Sequence, residues 1–309
     1  MKRPAVGVAF LARGAHDDSR HAFERFVSSY ARYSAGTDHR LYIMFKDFRN
    51  AAHLRATEQT FSSLDYVPLT IGGASCDIAA YKIAAHAMAE ERICFLNTKS
   101  QILCGDWLAK LSRQLDRPGV GLVGNTGSFE SHTSNGAYAG FPLFPNVHIR
   151  TNGFLMQRRL FCEIAQPFVL ASKMEGLLFE SGWNSLTRQV VGRGLDVRVV
   201  GRDGEAYEPV RWPRSGTYRS STNANTLIAD DDYRRLPLLE ESKRRRIVFE
   251  AWGHYAEEPP QRELELWLRS YRGRSHGLDR PHGRMAPLWK VTPFVRCVLS
   301  GWLRQSRIA

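Results

Sequence analysis

Two short apolar runs, each ending abruptly in a polar loop, constrain this chain more than any other feature. Arg92–Leu96 runs into Asn97-Thr98-Lys99-Ser100, and 120–123 runs into Gly124-Asn125-Thr126-Gly127-Ser128. Between them Trp107, Leu108, Leu111 and Leu115 fall on one face of a helix. Apolar runs this short, separated by a helix, suit buried parallel strands joined by a right-handed crossover. Ligands of open α/β sheets bind beyond the carboxyl ends of the strands. The two polar loops are therefore expected side by side on one rim, and that rim is the candidate active site.

The same alternation fills the chain upstream. Strands are predicted at 6–11, ending in Arg13-Gly14, at 40–45, ending in Lys46-Asp47, and at 67–71, closed by Gly72-Gly73. Helices are predicted at 19–34, where Phe23, Phe26, Val27, Tyr30 and Tyr33 share a face, at 51–61, and at 77–89. Strand and helix in strict alternation predict an α/β fold, a mostly parallel central sheet flanked by helices. The first strand is followed by no GxGxxG and no GxxxxGK[ST], which argues against a dinucleotide-binding dehydrogenase and a P-loop nucleotidase. A methyltransferase would also want a glycine-rich loop there.

After residue 131 the character changes. Residues 132–146 read as a long loop, and 145–152 gathers polar groups ahead of an apolar strand. A helix begins at 158, another ends at 191, a strand follows at 196–200, and 225–232 ends in three acids. A helix at 240–255 closes the predicted catalytic region. Residues 256–287 read as a basic connector, followed by a C-terminal amphipathic helix from Thr292 with Phe294, Val295, Val298, Leu299 and Trp302 on one face.

Bulk composition excludes several classes. With 43% hydrophobic and 11% aromatic residues the chain is globular rather than disordered. Five scattered cysteines without CxxC spacing fit neither a disulfide framework nor a zinc site. No apolar run is long enough to span a bilayer, and the N-terminus lacks a signal-peptide pattern, so a cytoplasmic protein is expected. The net charge is +12, and after Glu240 there are 14 Lys/Arg against 7 Asp/Glu. Such a basic tail suits peripheral attachment to the anionic surface of an inner membrane. A nucleic-acid partner is not expected, because the arginines are scattered and no recognition helix, zinc module or aromatic sheet motif accompanies them.

Eight segments in order carry a family resemblance: FLARG at 10–14, SCDIAAY at 75–81, FLNTKS at 95–100, GLVGNTGSFES at 121–131, PNVHIRTNGF at 145–154, FESGWNSLTRQ at 179–189, VVGRDG at 199–204 and IADDDY at 228–233. Together they resemble bacterial family-2-type glycosyltransferases of the GT-A fold, over about residues 5–255. The resemblance implies a donor-binding half at 1–131, an acceptor half at 132–255, and a C-terminal helical extension at 256–309. It implies transfer of a sugar from a nucleotide-sugar donor to a glycan or lipid-linked acceptor with inversion, in bacterial surface polysaccharide or lipopolysaccharide synthesis. Two alternatives stand beside it: a non-catalytic nucleotide-sugar-binding relative, and a basic nucleic-acid-binding protein.

Residue by residue, the resemblance assigns Glu180 as the base that takes the acceptor's proton. From the residues alone Glu180 opens an element, where a carboxylate favoured by a helix dipole is an equal reading. Arg13, Asp77, Asn97, Lys99, Ser100 and Asn125 fall to the donor; for Asp77, helix capping is the simpler role. His148, Arg150, Asn152 and Arg188 fall to the acceptor or the donor sugar. Typical members carry a DxD that holds Mg²⁺ or Mn²⁺ against the diphosphate. Here the matching positions are Asn97 and Lys99, which disfavours a divalent metal cofactor. Lys99, aided by Arg13, is expected to meet the phosphates directly, unless it is a solvated loop lysine of an inactive relative. Of the three consecutive acids only Asp230 is a candidate metal ligand.

Overall fold

Alternate side chains of one strand serve two separate cores, and this fixes the layering of the molecule. In β1 (Val6–Arg13), Ala9 and Leu11 join one apolar cluster while Val8, Phe10 and Ala12 join the other. A strand buried on both faces reads as a continuous apolar run, as this one does. The computed structural model describes residues 5–15, 18–135, 140–220, 223–257 and 264. Leu264 apart, the basic connector beyond 257 and the C-terminal amphipathic segment lie outside the described residues.

In chain order, α1 (Ser19–Arg32), β2 (His39–Lys46), α2 (Ala51–Thr60), β3 (Val67–Ile71), α3 (Asp77–Ala87) and β4 (Arg92–Leu96) follow β1. Next come β5 (Gln101–Ile102), α4 (Trp107–Leu115), β6 (Val120–Gly124), β7 (Gly127–Ser128), β8 (His148–Ile149) and β9 (Gly153–Gln157). The remainder is α5 (Arg158–Ala165), α6 (Lys173–Ser181), α7 (Leu186–Gly192), β10 (Asp196–Val200), β11 (Ala206–Tyr207), β12 (Ile228–Ala229), α8 (Asp231–Arg235) and α9 (Glu241–Trp252). The main sheet has eight strands in the order β11-β10-β6-β9-β4-β1-β2-β3. Phe23 and Phe26 of α1, Trp107 and Leu111 of α4, and Phe61 just after α2 cover one face. Side chains of α3, α5, α6, α7 and α9 cover the other. The mostly parallel, helix-flanked sheet expected from the sequence is present.

Its neighbour relations differ from the expected ones. The two apolar runs at 92–96 and 120–124 are parallel in direction but do not pair. Instead β9 lies between them, antiparallel to both, with Leu96 opposite Gly153 and Gly124 opposite Phe154. Periodicity identifies a buried strand but not its neighbours, and β9 is as short and apolar as the two it separates. The rim survives the insertion. Asn97 N–H donates to Asn152 O (3.1 Å) and Asn125 N–H to Gly153 O (3.0 Å), so the start of β9 stitches the two polar loops together. Two short antiparallel ribbons, β5 with β12 and β7 with β8, complete the fold.

Phe10 is fully buried and stacks on Phe26 with ring centroids 3.7 Å apart. Truncation there removes packing between β1 and α1 and leaves a cavity that the sheet cannot close. Phe10→Ala is expected to lower unfolding free energy by about 3–5 kcal/mol in urea titrations.

Candidate active site

Glu180 lies at the opposite end of its element from the one expected. It is the penultimate residue of α6, whose N-terminus is capped by Ser172 accepting from Glu175 N–H (3.3 Å). The C-terminus ends at Gly182, where a Cβ would stand 2.5 Å from Leu178 O, too close for any other residue to sit undisturbed. The carbonyl of Ser181 is satisfied by Asn146 Nδ2 (2.7 Å). A helix C-terminus carries partial negative charge and opposes a carboxylate. The dipole reading of Glu180 therefore fails, and other groups must hold its charge.

Those groups come from the segment just before β9. Thr151 N–H donates to Glu180 Oε2 at 2.7 Å, and the Thr151 hydroxyl donates to the same oxygen. Burial alone would raise the pKa of Glu180, but Arg150 and the two Thr151 bonds outweigh it and hold the carboxyl below its usual range. Among the described residues no hydrogen bond reaches Oε1. His148 is buried, and its Nδ1–H donates to the Asn146 carbonyl (2.7 Å), which fixes Nε2 as the bare nitrogen. Burial pushes the imidazole below its usual value despite the nearby Glu180.

Arg150 is the cation at the centre. Its guanidinium stands 3.2 Å from Asp230 and 3.6 Å from Asp232, and 4.4 Å over the Tyr218 ring. Burial works against its charge; Tyr218, Asp230, Glu180 and Asp232 overcome that and raise its pKa further. The three consecutive acids point three ways. Asp230 caps α8 through Tyr233 N–H (3.1 Å) and accepts from Asn152 Nδ2 (2.7 Å) as well as Arg150. Asp231 turns to Arg234 (2.8 Å) and Lys99 (3.8 Å). Asp232 accepts from the Tyr218 hydroxyl (3.0 Å) and Arg219 (3.1 Å), and Arg219 reaches on to Glu130 (3.0 Å).

On the donor side, Arg13 at the end of β1 binds Asp47 (2.8 Å) and stands 4.0 Å from Asp77. Lys46 at the end of β2 also binds Asp47, and its side chain is buried. Asp77 is the first residue of α3 and not its cap, a position Cys76 occupies. Lys99 is bonded to Asp18, and its carbonyl accepts from Arg234 (3.1 Å). Three other residues expected to face the donor are engaged inside the protein. Asn97 Oδ1 accepts from Lys99 N–H (3.1 Å) and the Ser100 hydroxyl (3.0 Å), closing the loop on itself. Asn125 donates to Ile228 O (2.6 Å). Arg188 packs against Trp183 and donates to Asn146 Oδ1 (3.3 Å), supporting the wall of the site from α7.

A divalent cation does not fit this donor set. The one amide oxygen of Asn97 already has two donors, an ammonium stands where the second carboxylate of a DxD would be, and Asp230 has both oxygens engaged. A hard cation needs several free oxygens and repels Lys99. Asp230 is a poor metal ligand, because its oxygens accept from Arg150, Asn152 and Tyr233 N–H.

Thr151 belongs to the polar group ahead of β9 that the sequence points to, whereas Lys46-Asp47, Asp18, Asp232, Tyr218-Arg219 and Glu130 enter the site only with the structure. For Lys46-Asp47 the signal existed: a strand ending in a polar pair on the same rim. Tyr218-Arg219 gave none, because they lie in an irregular loop brought to the rim by tertiary packing alone.

No family model and no curated protein sequence matches the chain. Among solved structures it is similar to the mannosyltransferase PcManGT from Pyrobaculum calidifontis, solved with GDP-Man and Mn²⁺, at 13% identity and a TM-score of 0.44 over 70% of this chain; the match spans 61% of that protein's length. It is also similar to 4-diphosphocytidyl-2C-methyl-D-erythritol synthase from Anaerococcus prevotii (12% identity, TM-score 0.42, 64% and 88% of the two chains). Mouse xyloside xylosyltransferase 1 matches at 12% identity and a TM-score of 0.37 (59% and 79%). At such identities and TM-scores these likenesses carry no argument about what this chain does. The sheet itself, with β9 reversed between β4 and β6, is that of a mostly parallel α/β fold.

The acid network sets a pH dependence. Burial would raise the pKa of Asp232, but Arg219, Arg150 and the Tyr218 hydroxyl hold it below its usual value. A depressed folded pKa contributes stability above the unfolded pKa and loses it as pH falls through the folded one. Asp232→Asn is expected to be less stable than wild type by about 1–3 kcal/mol between about pH 5 and 8. In denaturant titrations across pH that gap should shrink below about pH 4, the range in which a free aspartate protonates.

Proposed function

We propose that this protein is an inverting glycosyltransferase that moves a sugar from a nucleotide-sugar donor to a glycan or lipid-linked acceptor, with Glu180 as the general base. One observation carries the reading. At the rim beyond the carboxyl ends of the strands, a carboxylate is kept ionised against both burial and a helix dipole, with one oxygen fixed by Thr151. Such an arrangement is costly unless the charge has work to do.

In the proposed reaction the acceptor hydroxyl gives its proton to Glu180 Oε1 while its oxygen attacks C1 of the donor sugar. The bond from C1 to the nucleoside diphosphate breaks, and the electron pair leaves with the diphosphate. Lys99 and Arg13, from adjacent loops of the rim, stabilise the charge that develops there. The Asp18 carboxylate now on Lys99 gives way to the phosphates. Because the DxD positions suit a cation poorly, no step runs through a metal.

A second reading, a non-catalytic relative that binds the same donors, is favoured by the internal bonding of Asn97, Ser100 and Asn125. Both readings are separated by thermal shift and transfer assays with UDP-, GDP-, CMP- and dTDP-sugars. The catalytic reading expects one donor to stabilise the wild type equally with and without EDTA, and Lys99→Ala to lose that effect. Glu180→Gln is expected to keep donor binding and lose about 10²–10⁴-fold in kcat. Donor binding with no transfer to any glycan or lipid-linked acceptor would select the second reading. Loss of activity in EDTA, restored by Mn²⁺, would overturn the metal-free mechanism.

A further inference from the structure

Beside the rim, α1 and β5 border an open groove of about 370 Å³, within the range of small-molecule sites. His21, Arg25, Ser28 and Arg32 line it from α1 at positions i, i+4, i+7 and i+11, the polar face of a helix whose opposite face packs Phe23 and Phe26 into the core. Gln101 and Ile102 of β5 form the facing wall. The groove is cationic. Its acid, Glu24, is engaged by Arg20 (2.9 Å), while neither Arg25 nor Arg32 forms an ion pair among the described residues. Arg32 instead lies over the Tyr33 ring, and Arg25 Nε is buried without an acceptor. A buried N–H with no partner costs free energy that an anion's oxygen would recover.

We propose that this groove is a binding site for a phosphorylated small molecule of sugar size, separate from the site around Glu180. Two guanidinium groups match the several oxygens of a phosphoryl group, each able to donate two parallel hydrogen bonds. The Ser28 hydroxyl and the Gln101 amide suit the hydroxyls of a polyol, and the volume leaves room for a sugar beyond the phosphate. The site also adjoins the rim. Gln101 Oε1 accepts from Arg234 (3.3 Å), the arginine that holds the Lys99 carbonyl. The inference does not depend on the proposed sugar transfer.

Isothermal titration of the full chain with glucose 6-phosphate, inorganic phosphate and glucose tests it. Glucose 6-phosphate is expected to bind once per chain, more tightly than phosphate, with glucose silent. Arg25→Gln and Arg32→Gln should each weaken binding about tenfold. Ser28→Phe should weaken it by filling the groove with both charges kept, while Lys99→Ala and Arg13→Ala leave it unchanged. Ser28 and Arg32 are exposed and Arg25 is half-buried, and circular dichroism melts check that the variants fold. No binding of either phosphate at millimolar concentration would overturn the proposal. So would binding that survives all three α1 variants, or that is lost in Lys99→Ala.

Discussion

One part-buried cation, Arg150, organises much of the half of the molecule that faces the rim. The Arg150 guanidinium draws Asp230 and Asp232 from one segment and covers the Tyr218 ring from another. It also lowers the pKa of Glu180 from a third. A charge removed from water is tolerable only when opposite charges and hydrogen bonds surround it. That requirement pulls the end of α6, the start of α8 and the irregular loop at 218–219 to the segment before β9. Packing works in the same direction, since Tyr218 and Phe179 join one apolar core and Ile228, just before α8, joins the other.

The same economy shapes the loop after β4. Asn97 folds that loop onto itself, and Ser100 and Asn152 brace it, so the polar groups that a metal would need are already engaged. What remains at the rim is a set of ion pairs: Lys99 beside Asp18 and Asp231, with Arg13 and the buried Lys46 around Asp47. Anionic phosphates can exchange with these carboxylates, because a phosphate brings more charge and more acceptor oxygens than an aspartate.

The layering of the fold was legible because periodicity is a local property. The strands at Val67–Ile71, Arg92–Leu96 and Asp196–Val200 have the bounds that their apolar runs suggest, and the polar stops after β4 and β6 do meet on one rim. Glu180, Lys99 and Arg13 could be singled out because each stands at a polar break beside an apolar run. Their surroundings could not. Glu180 reads as the start of an element because Gly182 lies just beyond it, yet the helix had begun at Lys173 and ends there.

Sequence alone determined the longer strands of the main sheet and the helices before residue 116, which loops are polar, and that no DxD pair stands after the central strand. Each of these depends on residues close together in the chain. Only the tertiary structure decided that β9 separates β4 from β6, that Thr151 and Arg150 hold the charge of Glu180, and that of three adjacent aspartates two meet Arg150 while the middle one turns to Lys99 and Arg234. The reason is physical. Strand neighbours and buried ion pairs are chosen by contacts between residues tens of positions apart, as between Arg150 and Asp230 or Lys99 and Asp18, and no local pattern encodes which distant partner will be met.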